Sequence, residues 1–123
     1  MEYLSCWRKT KEVDTLAIEL NRENYDVEVL ESQQPVLVDF WGPQCRPCLA
    51  LMPVVDQIEK VYDGRLKVAK LDASTNRMLC AKLRVLSLPT FILYKDGTEV
   101  ARLTGDNIKE HDLTQAVLGL IPS

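Results

Sequence analysis

Asp39-Phe40-Trp41-Gly42-Pro43-Gln44-Cys45-Arg46-Pro47-Cys48 joins two segments of different periodicity. Before it, Pro35-Val36-Leu37-Val38-Asp39-Phe40 has the apolar character of a buried strand. After it, Leu51, Val54, Val55, Ile58, Val61 and Tyr62 recur at helical spacing. A Cys-x-x-Cys pair at a strand-to-helix junction is the pattern of a thiol–disulfide redox site. The first cysteine then lies at a helix N-terminus, where unpaired N–H groups and the helix dipole favour the thiolate. The thiolate is the form that attacks disulfides.

The 123 residues suit one core rather than two. Apolar residues make up 46% and charged residues 27%, an ordinary globular balance. A net charge of −3 with no basic cluster argues against nucleic acid or an anionic membrane as partner. Arg8-Lys9-Thr10-Lys11 is short, is followed by Glu12, and reads as a solvated tail. No apolar stretch reaches transmembrane length. Met1-Glu2-Tyr3-Leu4-Ser5-Cys6 lacks the charged start and apolar middle of a signal peptide, which makes the cytoplasm the expected compartment. Four cysteines there favour catalysis or metal binding over a disulfide framework.

Periodicity divides the chain into an extension over 1–14 and a domain over 15–123. Leu16, Ile18 and Leu20 alternate as a short strand, and Asn21 caps a helix over 22–31 with Tyr25, Val29 and Leu30 on its apolar face. A strand over 35–41 and a long helix over 45–62 follow. Pro53 removes a hydrogen bond to the Leu49 carbonyl within that helix and should kink it. Asp63-Gly64 ends the helix. A strand over 66–72, a helix over 76–84 and a hairpin turning at Asp96-Gly97 come next. Asn107 and Glu110 form a capping box for a last helix with Leu113, Ala116, Val117 and Leu120 on one face and Gly119 near its end. This order predicts an α/β fold, a mixed central sheet with helices on both faces.

From Thr15 to Ile121 the chain resembles the thioredoxin family. Asp39-Phe40-Trp41, the Cys45/Cys48 pair with Pro47 between, Pro53, Lys70, Pro89-Thr90, Tyr94-Lys95-Asp96-Gly97 and Gly105 carry the likeness. The resemblance implies the thioredoxin fold, with about five strands and about four helices. It also implies a protein-disulfide reductase of the cell's redox homeostasis and electron transport. Cys45 would be the nucleophile and Cys48 the resolving thiol. Asp39 would be a buried proton acceptor behind Cys48, with Lys70 tuning it electrostatically. Pro89 would be cis, exposing the Leu88 backbone to an extended substrate segment. Trp41, Gly42 and Pro43 would form the opposite wall, beside Gln44, Arg46 and Pro47, with Gly105 allowing close approach. Gln44, Arg46 and Leu49 stand where the family usually has tryptophan, glycine and lysine. Cys-Arg-Pro-Cys is therefore an atypical form of the motif; the sulfur chemistry is untouched but the surface met by partners is altered.

No bound cofactor is implied, the redox group being the Cys45–Cys48 disulfide. The implied partners are protein disulfides and an electron donor, either a flavin-dependent thioredoxin reductase or another dithiol, acting on a monomer. A zinc half-site needs about four ligands, and only Cys6, Cys80 and His111 remain to complete one. Cys80, beside Leu79, reads as a small buried hydrophobe, and His111 as a surface residue. The competing class is a thioredoxin-like binding module whose main work is docking.

Overall fold

Side chains of the central strands alternate between two apolar cores, and that alternation organises the domain. The computed structural model describes residues 17–121. The extension over 1–14, with Cys6 and Arg8-Lys9-Thr10-Lys11, and the first residues of the opening strand lie outside the described residues. In chain order the elements are β1 (Ile18–Glu19), α1 (Asp26–Leu30), β2 (Val36–Trp41), α2 (Arg46–Val61), β3 (Lys67–Asp72), α3 (Arg77–Lys82), β4 (Thr90–Lys95), β5 (Thr98–Thr104) and α4 (Glu110–Leu120). A 3-10 turn, Ala73–Thr75, links β3 to α3.

The strands form one sheet in the order β1-β3-β2-β4-β5. β3 runs parallel to β1 and β2, whereas β4 runs antiparallel to β2 and β5. This is the mixed sheet that the element order predicts. Val36, Val38 and Phe40 of β2 join Tyr25, Val29, Cys80, Ile92 and Tyr94 on one face, under α1 and α3. Leu37 joins Val68, Phe91 and Leu93 on the other, under Leu51, Val55 and Ile58 of α2 and Leu113, Val117 and Leu120 of α4. Among the described residues no helix is long and apolar enough to cross a membrane.

Two local expectations change. Asn21 caps as expected, its Oδ1 accepting from the N–H groups of Glu23 and Asn24 at 2.8 and 3.0 Å. The helix that follows is shorter, though, and wound more widely, Glu31 N–H donating to the Asp26 carbonyl five residues back. Tyr25 and Val29 are buried there while Leu30 is exposed. Leu30 instead presents its backbone to the β4–β5 turn, where a side chain on Gly97 would come within 2.5 Å of the Leu30 carbonyl oxygen. Gly97 also has φ +77°, so glycine is required twice over.

The capping box shifts as well. Asn107 and Glu110 do not form it; Lys109 is the N-cap, and its N–H donates to Asp112 Oδ2 at 2.9 Å. Ile108 packs against the core beneath α2 and α4, which carries the chain past Asn107 before the helix starts. Helix α2 carries Pro53 inside its Arg46–Val61 span. Pro53 and Leu49 are both exposed, so the Leu49 carbonyl that lacks a helical partner lies on the side open to water.

Candidate active site

The loop after β2 closes on itself before α2 begins. Cys45 N–H donates to the Gly42 carbonyl at 3.0 Å, and Cys45 then serves as the N-cap of α2 in an extended conformation. Its Sγ accepts from the N–H of Cys48 at 3.2 Å, one of the donors a helix start leaves unpaired. Pro47 falls in the first turn, where its missing N–H costs nothing. Cys45 and Cys48 are joined in a disulfide across one helical turn, their Cα atoms 5.3 Å apart. Cys45 is partly exposed, whereas Cys48 is 1% exposed and faces the core.

Asp39 lies two residues beyond Leu37 in β2 and so shares the face covered by α2. It is 1% exposed, and neither carboxylate oxygen has a hydrogen-bond partner among the described residues. Burial pushes its pKa up to about 7; Lys70 opposes the rise and Asp56 adds to it. Lys70 is the register partner of Asp39 across the β2–β3 ladder. Its ammonium donates not to Asp39 but to Asp56 Oδ1, at 3.1 Å, and lies 3.8 Å from Met52 Sδ. Asp56 escapes the sequence reading because that reading follows only the apolar face of α2. The available signal was the i, i+4 spacing of Met52 and Asp56, which places both on one strip of the helix.

The Leu88-Pro89 bond is cis, as the resemblance implies. Hydroxyls of Ser87, Thr90 and Thr104 surround this loop. Thr90 Oγ1 donates to the Ser87 carbonyl at 2.7 Å, and Thr104 Oγ1 lies 2.8 Å from Thr90 Oγ1 and 3.1 Å from Ser87 Oγ. Gly105 N–H donates to the Pro89 carbonyl at 3.1 Å. Gly105 has a backbone conformation that favours glycine. A side chain there would meet Asn107 at an ordinary 3.5 Å, so the constraint is its φ of +113°. At Gly42 an added Cβ would lie 3.3 Å from Leu88 Cδ1.

Gly42, Pro43, Gln44, Cys45 and Leu88, with Ala73 and Ser74 of the 3-10 turn, surround a cavity of about 360 Å³. Trp41, expected on the same wall, lines a different cavity of about 490 Å³ with Lys70, Asp72 and Arg22. Gln44 and Arg46 are exposed, and Pro47 partly so. Cys80 is buried in the opposite core, which pushes its thiol pKa up, and His111 is exposed on α4. Among the described residues no group of three His, Cys, Asp or Glu side chains could hold a metal ion.

Residues 16–118 match the thioredoxin family model. The chain belongs to the thioredoxin family. It is 43% identical to the thioredoxin of Acetoanaerobium sticklandii over 89 residues, which cover 72% of this chain and 85% of that relative. Thioredoxin 1 of Nostoc sp. is 38% identical over 89 residues, covering 72% and 83%. The bifunctional thioredoxin reductase/thioredoxin of Mycobacterium leprae is 40% identical over 90 residues, 73% of this chain but 20% of that protein. The fold, the Cys-x-x-Cys disulfide and the family together make this chain a thiol–disulfide oxidoreductase. Its redox group is the cysteine pair itself, and the partners of such a protein are protein disulfides and a reductase.

Proposed function

We propose that Cys45 is the attacking thiol and Cys48 the resolving thiol of a cytoplasmic, monomeric protein-disulfide reductase. The observation that carries the assignment is the unequal setting of the two sulfurs. Cys45 is open to a partner at the helix N-cap, while Cys48 is buried beneath it. In the dithiol form, the amides of the first turn and the exposed Arg46 next in sequence favour a Cys45 thiolate. That thiolate attacks one sulfur of a substrate disulfide and expels the other as thiolate, leaving a mixed disulfide. Cys48 then gives its proton to Asp39 and attacks Cys45 Sγ. The intramolecular disulfide forms, the second substrate sulfur leaves, and the Asp39 proton passes out to solvent or product. Two electrons have moved to the substrate.

Returning the site to the dithiol needs an external donor. We assign this to a flavin-dependent thioredoxin reductase or another dithiol protein. Support comes from the relative whose name joins a thioredoxin reductase and a thioredoxin in one protein. The substrate seat is the cavity between Gly42-Pro43-Gln44 and Leu88, and the exposed Arg46 and partly exposed Pro47, next in sequence to Cys45, would meet the same partner. There a substrate strand would meet the Leu88 backbone. The division into an extension over 1–14 and a domain over 15–123 is supported by a family match that begins at residue 16.

Trapping tests the roles. Cys48→Ser should accumulate mixed disulfides with protein substrates, at least about tenfold more than Cys45→Ser. Equal trapping by the two variants would overturn the assignment. The intact chain and a chain lacking residues 1–14 should both reduce insulin with dithiothreitol as donor. Failure of both, with reducible thiols, would favour the binding module; failure of the shortened chain alone would place the extension in the domain.

A further inference from the structure

Asp39 sits at the centre of the proposed proton transfer with no donor satisfying either oxygen among the described residues. The cation placed beside it by strand register is Lys70. An ammonium turned onto that carboxylate would hold it ionised and weaken its grip on a proton at neutral pH. The lysine is drawn the other way. Its Nζ donates to Asp56 Oδ1 at 3.1 Å on the neighbouring helix, with Met52 Sδ 3.8 Å away. The lysine side chain is 18% exposed and the aspartate 54%, so the pair spans the rim between the buried site and water.

We propose that Asp56 is a positioning residue for the redox reaction: by holding Lys70 at the α2 surface, it leaves the Asp39 carboxyl free to accept and release the Cys48 proton. This rests on the reading of Asp39 as that acceptor. As a surface pair the contact adds little to stability, because the aspartate is well solvated. Its value lies in where it keeps the charge.

The surrounding groups fit the inference. Asp39 faces apolar Phe91 across β4 and Lys70 across β3. Lys70 faces Glu19 across β1, and Arg22, Glu23 and Asp72 line the cavity it shares with Trp41. The two charges that act on Asp39, behind burial itself, are Lys70 and Asp56, and they act in opposite directions. Removing Asp56 withdraws a negative charge and releases the lysine. Both changes lower the proton affinity of Asp39.

The test is carbon NMR titration of the Asp39 carboxyl in the oxidised, full-length protein, where Cys45 and Cys48 carry no proton. Wild type should titrate near the value of about 7. Asp56→Asn should move the midpoint down by about one pH unit, and Asp56→Glu should restore it. In a Lys70→Met background the same Asp56→Asn change should lose most of its effect. The acid limb of mixed-disulfide resolution, measured by stopped flow, should move with the midpoint. An unmoved midpoint in Asp56→Asn would overturn the inference, as would an equal displacement with and without Lys70. A wild-type Asp39 that titrates like a solvated carboxylate would overturn the proton-acceptor reading as well, a failure separate from these two.

Discussion

The two faces of the sheet bury polar groups in opposite ways. Beneath α1 and α3, the hydroxyls of Tyr25 and Tyr94 lie 2.6 Å apart in the core, their rings edge to face. Burial keeps both well above the ordinary tyrosine pKa, so both stay neutral and satisfy one another. Beneath α2, Asp39 is buried just as deeply with no hydrogen-bond partner among the described residues. A buried polar group that is paired costs little, while an unpaired one carries its full desolvation penalty. One face is built for stability. The other keeps a costly carboxyl beneath the helix that carries the cysteines, where we propose that a proton moves.

The largest effect that could break this comparison is on Asp39. Its pKa rises from the ordinary 3.8 to about 7. Between those values the unfolded chain releases a proton that the folded chain keeps. Stability from this group therefore falls as pH rises from about 4 through about 7. Asp39→Asn removes that dependence. It should stabilise the oxidised protein by about 4 kcal/mol at about pH 8 and leave it unchanged at about pH 3, by urea denaturation. Turnover should fall by about tenfold or more over the same alkaline range. A variant no more stable than wild type at about pH 8 would mean the carboxylate is compensated, and the contrast would collapse.

A smaller effect is expected on the paired face. Tyr25→Phe leaves the Tyr94 hydroxyl buried without its partner and should cost about 1.5 kcal/mol, with insulin reduction unchanged. Adding Tyr94→Phe should cost less than a second such loss, because no hydroxyl is then stranded. Strict additivity in thermal or urea unfolding would show that the pair does not act as a unit.

Smallest of all should be Glu99→Gln at the solvent edge of that face. Arg102 donates to Glu99 at 2.7 and 2.9 Å but also to the carbonyls of Leu83 and Arg84. The guanidinium keeps those partners when the carboxylate is neutralised, and the pair is partly solvated. A loss below about 0.5 kcal/mol is expected, shrinking further in high salt. A loss matching that of Tyr25→Phe would show that the ion pair shields the tyrosines beneath it.

Much of this site was legible residue by residue. Asp39 is buried in its strand, Cys45 and Cys48 pair at the start of α2, and the bond before Pro89 is cis, because each of these features depends on a single strand end, helix start or turn. The misses share a cause. The capping box moved because Ile108 packs on the core, and Leu30 left its expected face because the Asp96-Gly97 turn meets its backbone. Each depends on a neighbour far away in sequence.

By itself, the sequence determined the redox chemistry. A Cys-x-x-Cys between a buried strand and a helix puts both sulfurs on the first helical turn, since helix geometry brings together residues three apart. It also determined that Asp39 would be a carboxyl in an apolar strand. Only the tertiary structure decided what surrounds that carboxyl. Placing β3 beside β2 brings Lys70 to Asp39, and packing α2 over both brings Asp56 to draw the lysine off. Placing β5 beside β4 brings Thr104 to lock the Pro89 loop. These contacts join segments that no local period relates. They exist because burial of two apolar faces selects one strand order, and that order sets which charges meet.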